Sequence, residues 1–357
     1  MLAPKRASQP AQPAVHQSAS QTEHPLPPSA ALLQMMTGYW VSQGIYVAAK
    51  LGLADLLTEG PCSINELAAA TQTQAGPLYR VMRALASVGI FEEGDAEWFT
   101  LTPLAQLLQS NTADSMRALA MMYAEEQYRA WGDILFSLQT GTPAFEHSFG
   151  TRYFDYLATH PEASQVFNAA MVGWTTQIVD AVVAAYDFAS VSTIVDVGGG
   201  HGALLAAILT TSPATQGILF DQPHVVTSAE PFLRAAGIHD QCQGVGGDFF
   251  ADIPAGADVY VLAQILHDWD DKHSMAILRQ VRQAVPSHGK LLIIELVLPE
   301  GNEPFLGKWL DLHMLVMLGG RERTAAQYAT LLRASGFESV RVIPTAAGQS
   351  IVEALPI

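Results

Sequence analysis

A chain of 357 residues with 49% hydrophobic content exceeds one average domain and can bury a large core. Only 15% of its residues are charged, against about 25% in an ordinary soluble domain, which predicts extensive burial against a second copy in a homodimer. A formal net charge of −16 argues against nucleic acid and anionic membranes as partners, since both need an electropositive footprint, and leaves a small neutral or aromatic ligand as the better fit.

Residues 1–29 read as a disordered tail, rich in Pro, Gln, Ser and Ala and without the apolar stretch of a secretory signal. Cys62 and Cys242 lie far apart, supporting neither a disulfide framework nor a cysteine zinc site, so a cytoplasmic location is expected. Residues 31–50 are apolar almost all round a helix, and Gly38, Gly44, Gln34, Ser42 and Gln43 favour a buried subunit-interface helix over a membrane span.

Within 30–110, Ser63 and Glu66 form a capping-box pattern, and Gly76-Pro77 opens a helix carrying Leu78, Val81, Met82, Leu85 and Val88. Two short strands then flank Gly94-Asp95. Helix, helix and hairpin predict a winged helix. Its recognition helix offers only Arg80 and Arg83, and Glu92, Glu93, Asp95 and Glu97 would repel phosphate, so the module is read as a dimerisation domain. Residues 111–190 are helical and rich in Met and aromatic residues, most of them for core packing and some for the wall of an aromatic pocket.

From 191 to 357 strands and helices alternate, predicting an α/β, doubly wound sheet with strands near 193–197, 217–221, 242–246, 258–262, 290–295 and 338–344. A final hairpin to 350–355 makes the last strand antiparallel. The first of these strands ends at Asp196 and breaks into four glycines, Gly198, Gly199, Gly200 and Gly202, before a helix. This is how a parallel sheet presents a nucleotide crevice, and Gly198-x-Gly200-x-x-Ala203 equally satisfies a nicotinamide-cofactor fingerprint. Asp221, twenty-one residues after Gly200, ends the second strand where a carboxylate accepts from ribose hydroxyls. Asp248 and Phe249 could hold and cover an adenine.

The cluster Leu266-His267-Asp268-Trp269-Asp270-Asp271 follows an apolar strand, at the edge where open α/β sheets place their sites. His267 needs little pKa shift to serve as a base near neutrality. Successive carboxylates here diverge, so no metal site is expected, and Asp270 and Asp271 read as helix caps. Glu295 and Glu322 stand at strand or loop ends, where either could orient the imidazole.

Val195 to Gly202, Phe220-Asp221-Gln222-Pro223, Gly247 to Phe250, Leu266 to Trp269, Glu295-x-x-Leu298-Pro299 and Gly319 to Thr324, in that order, resemble the S-adenosylmethionine-dependent O-methyltransferases of the caffeic acid and bacterial natural-product type. The resemblance extends over about residues 30–357. It implies a homodimer with an N-terminal winged-helix dimerisation domain and a class I methyltransferase domain, a Rossmann-like seven-stranded sheet. It also implies an S-adenosylmethionine site of Asp196, Gly198, Gly200, Gly202, Asp221, Gln222, Asp248, Phe249 and Trp269. His267 would take the proton of an acceptor hydroxyl on an aromatic small molecule, with Glu295 and Glu322 flanking it. Trp131, Phe154, Phe167, Met171, Trp174, Asp268, Met314 and Met317 are candidates for the acceptor pocket. Ala263 and Gln264 stand where many relatives carry a basic residue. The rival readings are an NAD(P)-dependent oxidoreductase and a winged-helix regulator that only senses a ligand.

Overall fold

The computed structural model describes residues 26–112 and 114–357, so nearly all of the predicted tail lies outside the described residues. The helix expected over 31–50 is two helices, Pro28–Met36 and Gly38–Leu51, parted at Thr37, whose N–H and hydroxyl both bond back to Leu33 O.

In the N-terminal domain Ser63 and Glu66 close the capping box on helix Ile64–Thr71. Helix Ala75–Ser87 buries Leu78, Met82 and Leu85, an i, i+4, i+7 stripe. The expected hairpin is β2 (Phe91–Glu93) and β3 (Trp98–Leu101), and β1 (Cys62–Ser63) pairs on the other edge of β3. The same cluster takes in Leu53, Leu57, Ile64, Leu67, Phe91 and Phe99.

The C-terminal sheet is seven-stranded: β4 (Thr193–Val197), β5 (Gln216–Asp221), β6 (Cys242–Gly246), β7 (Val259–Ala263), β8 (Lys290–Glu295), β11 (Phe337–Pro344) and β12 (Ser350–Pro356). The short strands β9 (Val297–Leu298) and β10 (Arg323–Thr324) form a separate parallel pair. The order across the sheet is β11-β12-β8-β7-β4-β5-β6, and β12 runs antiparallel to both neighbours. The chain-final strand thus lies inside the sheet and β11 forms its edge. Ile351 to Ala354 are continuously buried, whereas β11 exposes most of its residues, so the strand able to shed water on both faces goes inward.

Alternate residues of the strands feed two cores. Val195, Tyr260, Leu262, Leu291 and Ile293 pack with helices Asp271–Ala284 and Ala325–Ala334. Ile194, Val259, Val261, Leu292 and Ile294 pack with helices Pro161–Ala185 and Ala203–Thr211. Helix Pro161–Ala185 has the length and composition of a membrane span, but it packs along helices Arg117–Ala124 and Ala203–Thr211 and buries Ile178, Val179 and Val182. Strand β4 pairs with both β5 and β7, so chain order reverses there, and the site is expected beyond the carboxyl ends of these strands.

Candidate active site

Beyond β4 the chain turns through Gly198, Gly200 and Gly202 at φ of +73°, +58° and +80°, a left-handed region that disfavours side chains. Space is equally strict at Gly199, where a Cβ would lie 2.5 Å from Leu219 and 2.6 Å from the Asp196 carboxylate. Gly200 opens onto free space. Asp221 Oδ2 accepts from Gly200 N–H at 2.9 Å and Oδ1 from Gln222 N–H at 2.6 Å, so the strand-end carboxylate is braced against the loop.

Asp196 is 2% exposed, and among the described residues its Oδ1 has no partner. Burial, with Asp221 adding to it, pushes its carboxyl up to about 7. Phe249 stands near the would-be Cβ of Gly198 and packs edge-on to Trp269 at 6.2 Å, while Asp248 accepts from Phe250 N–H. Open loop, unfilled buried carboxyl, ribose-type carboxylate and aromatic wall together fit a nucleoside carrying a cationic tail, the shape of S-adenosylmethionine.

Beyond β7 the turn Ile265 to Trp269 carries His267, 7% exposed. Its Nδ1 meets Glu322 Oε1 at 2.7 Å, which assigns the proton to Nδ1, and Nε2 lies 3.4 Å from Asp268 Oδ1, leaving Nε2 able to turn to a further partner. Burial opposes the imidazolium, yet Glu322 and Asp268, with Glu295 behind them, lift the pKa to about 10. Burial raises Asp268 to about 7 against the pull of His267.

Glu295 corrects the expectation of two carboxylates on one imidazole. Its Oε1 accepts from the backbone N–H groups of Ile265, Leu266 and His267 at 3.2, 2.6 and 3.2 Å, and its Oε2 accepts from the Tyr328 hydroxyl. Being fully buried at the end of β8, it holds the turn's amides and acts on the ring only through its field. Arg323, 1% exposed, holds the opposite side, donating to the carbonyls of Leu266 and Trp269 at 2.9 Å each, to Ser274 Oγ and to Asp271. Asp271 therefore serves Arg323, while Asp270 alone caps helix Asp271–Ala284 through His273 N–H. A Cβ on Gly320 would run into the His267 carbonyl, so that loop closes directly on the turn.

Of the proposed pocket residues, Trp131 donates to His313 Nδ1 at 2.8 Å, and Trp174 donates to Gln264 at 3.4 Å. Gln264 sits at φ +57°, with its side-chain oxygen on the Trp174 indole N–H. Phe167, Met171 and Trp174 line one cluster with Leu119, Met122 and Ala170. Met314 and Met317 are buried on helix Leu306–Met317, and Phe154 is 40% exposed. Of the further site residues Arg323, Tyr328 and His313, only Arg323 carries a sequence signal, as a member of the Gly319 to Thr324 motif.

Residues 131–338 match the O-methyltransferase domain and residues 33–111 the O-methyltransferase dimerisation domain. The chain is 59% identical to phenazine O-methyltransferase PhzM of Lysobacter antibioticus, over 93% of this chain and 97% of that protein. The solved structure of LaPhzM superposes with a TM-score of 0.91 at 59% identity, covering 93% of this chain and all of that one. That of the O-methyltransferase NcsB1, in complex with S-adenosylmethionine and 2-hydroxy-5-methyl naphthoic acid, superposes at 0.78 with 32% identity, covering 88% and 96%. Fold, site and relatives agree, and the chain belongs to the S-adenosylmethionine-dependent O-methyltransferase family.

Proposed function

We propose that the protein methylates a hydroxyl of a planar aromatic metabolite of the phenazine or related fused-ring type, with His267 as general base. The observation that carries this reading is the Glu322–His267 pair: Nδ1 is fixed at 2.7 Å and Nε2 lies 3.4 Å from Asp268, beyond the carboxyl end of β7. Relatives named for a phenazine and crystallised with a hydroxynaphthoic acid support the acceptor class. S-adenosylmethionine supplies an activated methyl group on a positively charged sulfur. Beside that charge His267 would shed its proton more readily, and its Nε2 can then accept from the hydroxyl. The rest of the rate comes from alignment, which the braced glycine loop and the caged turn at Ile265 to Trp269 provide. Methyl transfer to 1-hydroxyphenazine followed by mass spectrometry tests the reading; methylation confined to ring nitrogen, or none, contradicts it.

Two further expectations arise from the same reading. Asp221→Ala removes a carboxylate placed for ribose and braced on the loop, so S-adenosylmethionine affinity should fall at least about tenfold by calorimetry. Wild-type affinity in that variant would withdraw the assignment.

The protein acts as a homodimer. Leu32, Leu33, Met35, Met36 and Trp40, all more than half exposed, lie within the N-terminal segment where the dimerisation-domain match begins. Leu33→Glu with Trp40→Glu should halve the mass seen by sedimentation equilibrium, whereas an intact dimer would move the interface elsewhere.

A further inference from the structure

His313 is a second histidine near the reaction centre, and the chemistry described above does not use it. It projects from helix Leu306–Met317, which packs against the turn Leu266–Asp268, and the residue is 8% exposed. Its ring is nearly parallel to that of Trp131, at 17° with centroids 6.1 Å apart, and edge-on to Tyr123 at 5.6 Å. Indole Nε1–H can only donate, so the 2.8 Å bond from Trp131 makes His313 Nδ1 an acceptor. A neutral imidazole that accepts at Nδ1 carries its proton at Nε2.

Burial and the positive field of His267 both oppose a second proton, holding the His313 pKa down to about 4. The ring is therefore a neutral donor of fixed tautomer. Among the described residues no side chain or carbonyl bonds its Nε2–H, and the one bond to the ring is that from Trp131 to Nδ1. That atom is not among the buried polar atoms left without a partner, so the donor stands open to solvent or to a ligand, within electrostatic reach of the base.

We infer that His313 Nε2–H donates to a hydrogen-bond acceptor on the aromatic substrate, next to the hydroxyl that His267 engages. This rests on the phenolic reading above and narrows it. The preferred substrates are phenols whose hydroxyl stands beside a ring nitrogen, carbonyl or carboxylate, and Trp131 is the residue that positions the donor. A phenol offering only C–H at that place leaves the donor unpaired and is rejected.

A matched pair separates the effect from shape: 8-hydroxyquinoline and 1-naphthol differ in a nitrogen replacing C–H beside the hydroxyl. Binding is measured by calorimetry with S-adenosylhomocysteine and EDTA present, and methyl transfer is followed separately. Wild type should bind the quinoline at least about tenfold more tightly. His313→Leu should bring the two affinities within about threefold, and His313→Gln, which keeps a neutral donor, should retain most of the preference. Unchanged affinity of each variant for S-adenosylhomocysteine shows that it is folded.

No preference in wild type, or a preference that survives His313→Leu, would overturn the inference. If neither compound is methylated, the phenolic reading fails, while the binding ratio still decides the part played by His313.

Discussion

His267→Ala should lower kcat by a factor on the order of 10² or more while leaving S-adenosylmethionine affinity within about twofold. The two effects separate because the imidazole contacts Glu322 and Asp268, whereas the glycine loop, Asp196 and Asp221 belong to the neighbouring strands β4 and β5. Loss of cofactor binding along with kcat would make the residue structural, and unchanged turnover would remove it as base.

Proton linkage provides an independent check on the same residue. The folded-state pKa of about 10 lies above the ordinary 6.5, so the partnered imidazolium stabilises the fold fully below about pH 6.5, and this is lost as pH rises through about 10. The difference in urea midpoint between wild type and His267→Ala should accordingly be widest near about pH 6 and narrow toward about pH 10. Because the base must be neutral to act, kcat/KM of the free wild-type enzyme should rise over the same interval.

Arg323→Met should cost about 3 kcal/mol of unfolding free energy, since it strips the guanidinium donors from the carbonyls of Leu266 and Trp269, leaving them one shared Ser274 hydroxyl, and removes a fully buried, well-packed side chain. Asp271 is 53% exposed, so water screens its share of the ion pair and most of the cost falls on those carbonyls. Activity should fall with stability, because the released turn carries His267. Denaturation by urea measures the first effect and kcat at a temperature well below the transition the second. A loss under about 1 kcal/mol would mean that water replaces the guanidinium at those carbonyls.

The fold was legible where the chain repeats a pattern: strand and helix alternate from β4 onward, and the capping box at Ser63 and the hairpin at β2 and β3 are local signals. The glycine loop and His267 stood out because turn chemistry and strand ends mark them. Glu295 shows the limit. A carboxylate at a strand end looks the same whether it faces a ring or three amides, and only the path of the turn after β7 decides. Likewise His313 and Trp131 lie 182 positions apart, and no periodicity brings an indole N–H to an imidazole across that distance. The break at Thr37 carries no sequence signal, because apolar residues continue on both sides of it.

Glu295, Arg323, the Ser274 hydroxyl and the Arg321 N–H all grip main-chain atoms of the turn at Ile265 to Trp269, whereas Glu322 is bonded to the His267 ring itself. The pose of the turn is therefore written outside position 267. Mutation can exchange the side chain there without dismantling its mount, so the strength of the base, or its presence, is free to drift while the scaffold that aims it stays fixed. Such a socket lets one architecture move between acceptors that need a proton removed and acceptors that arrive already ionised.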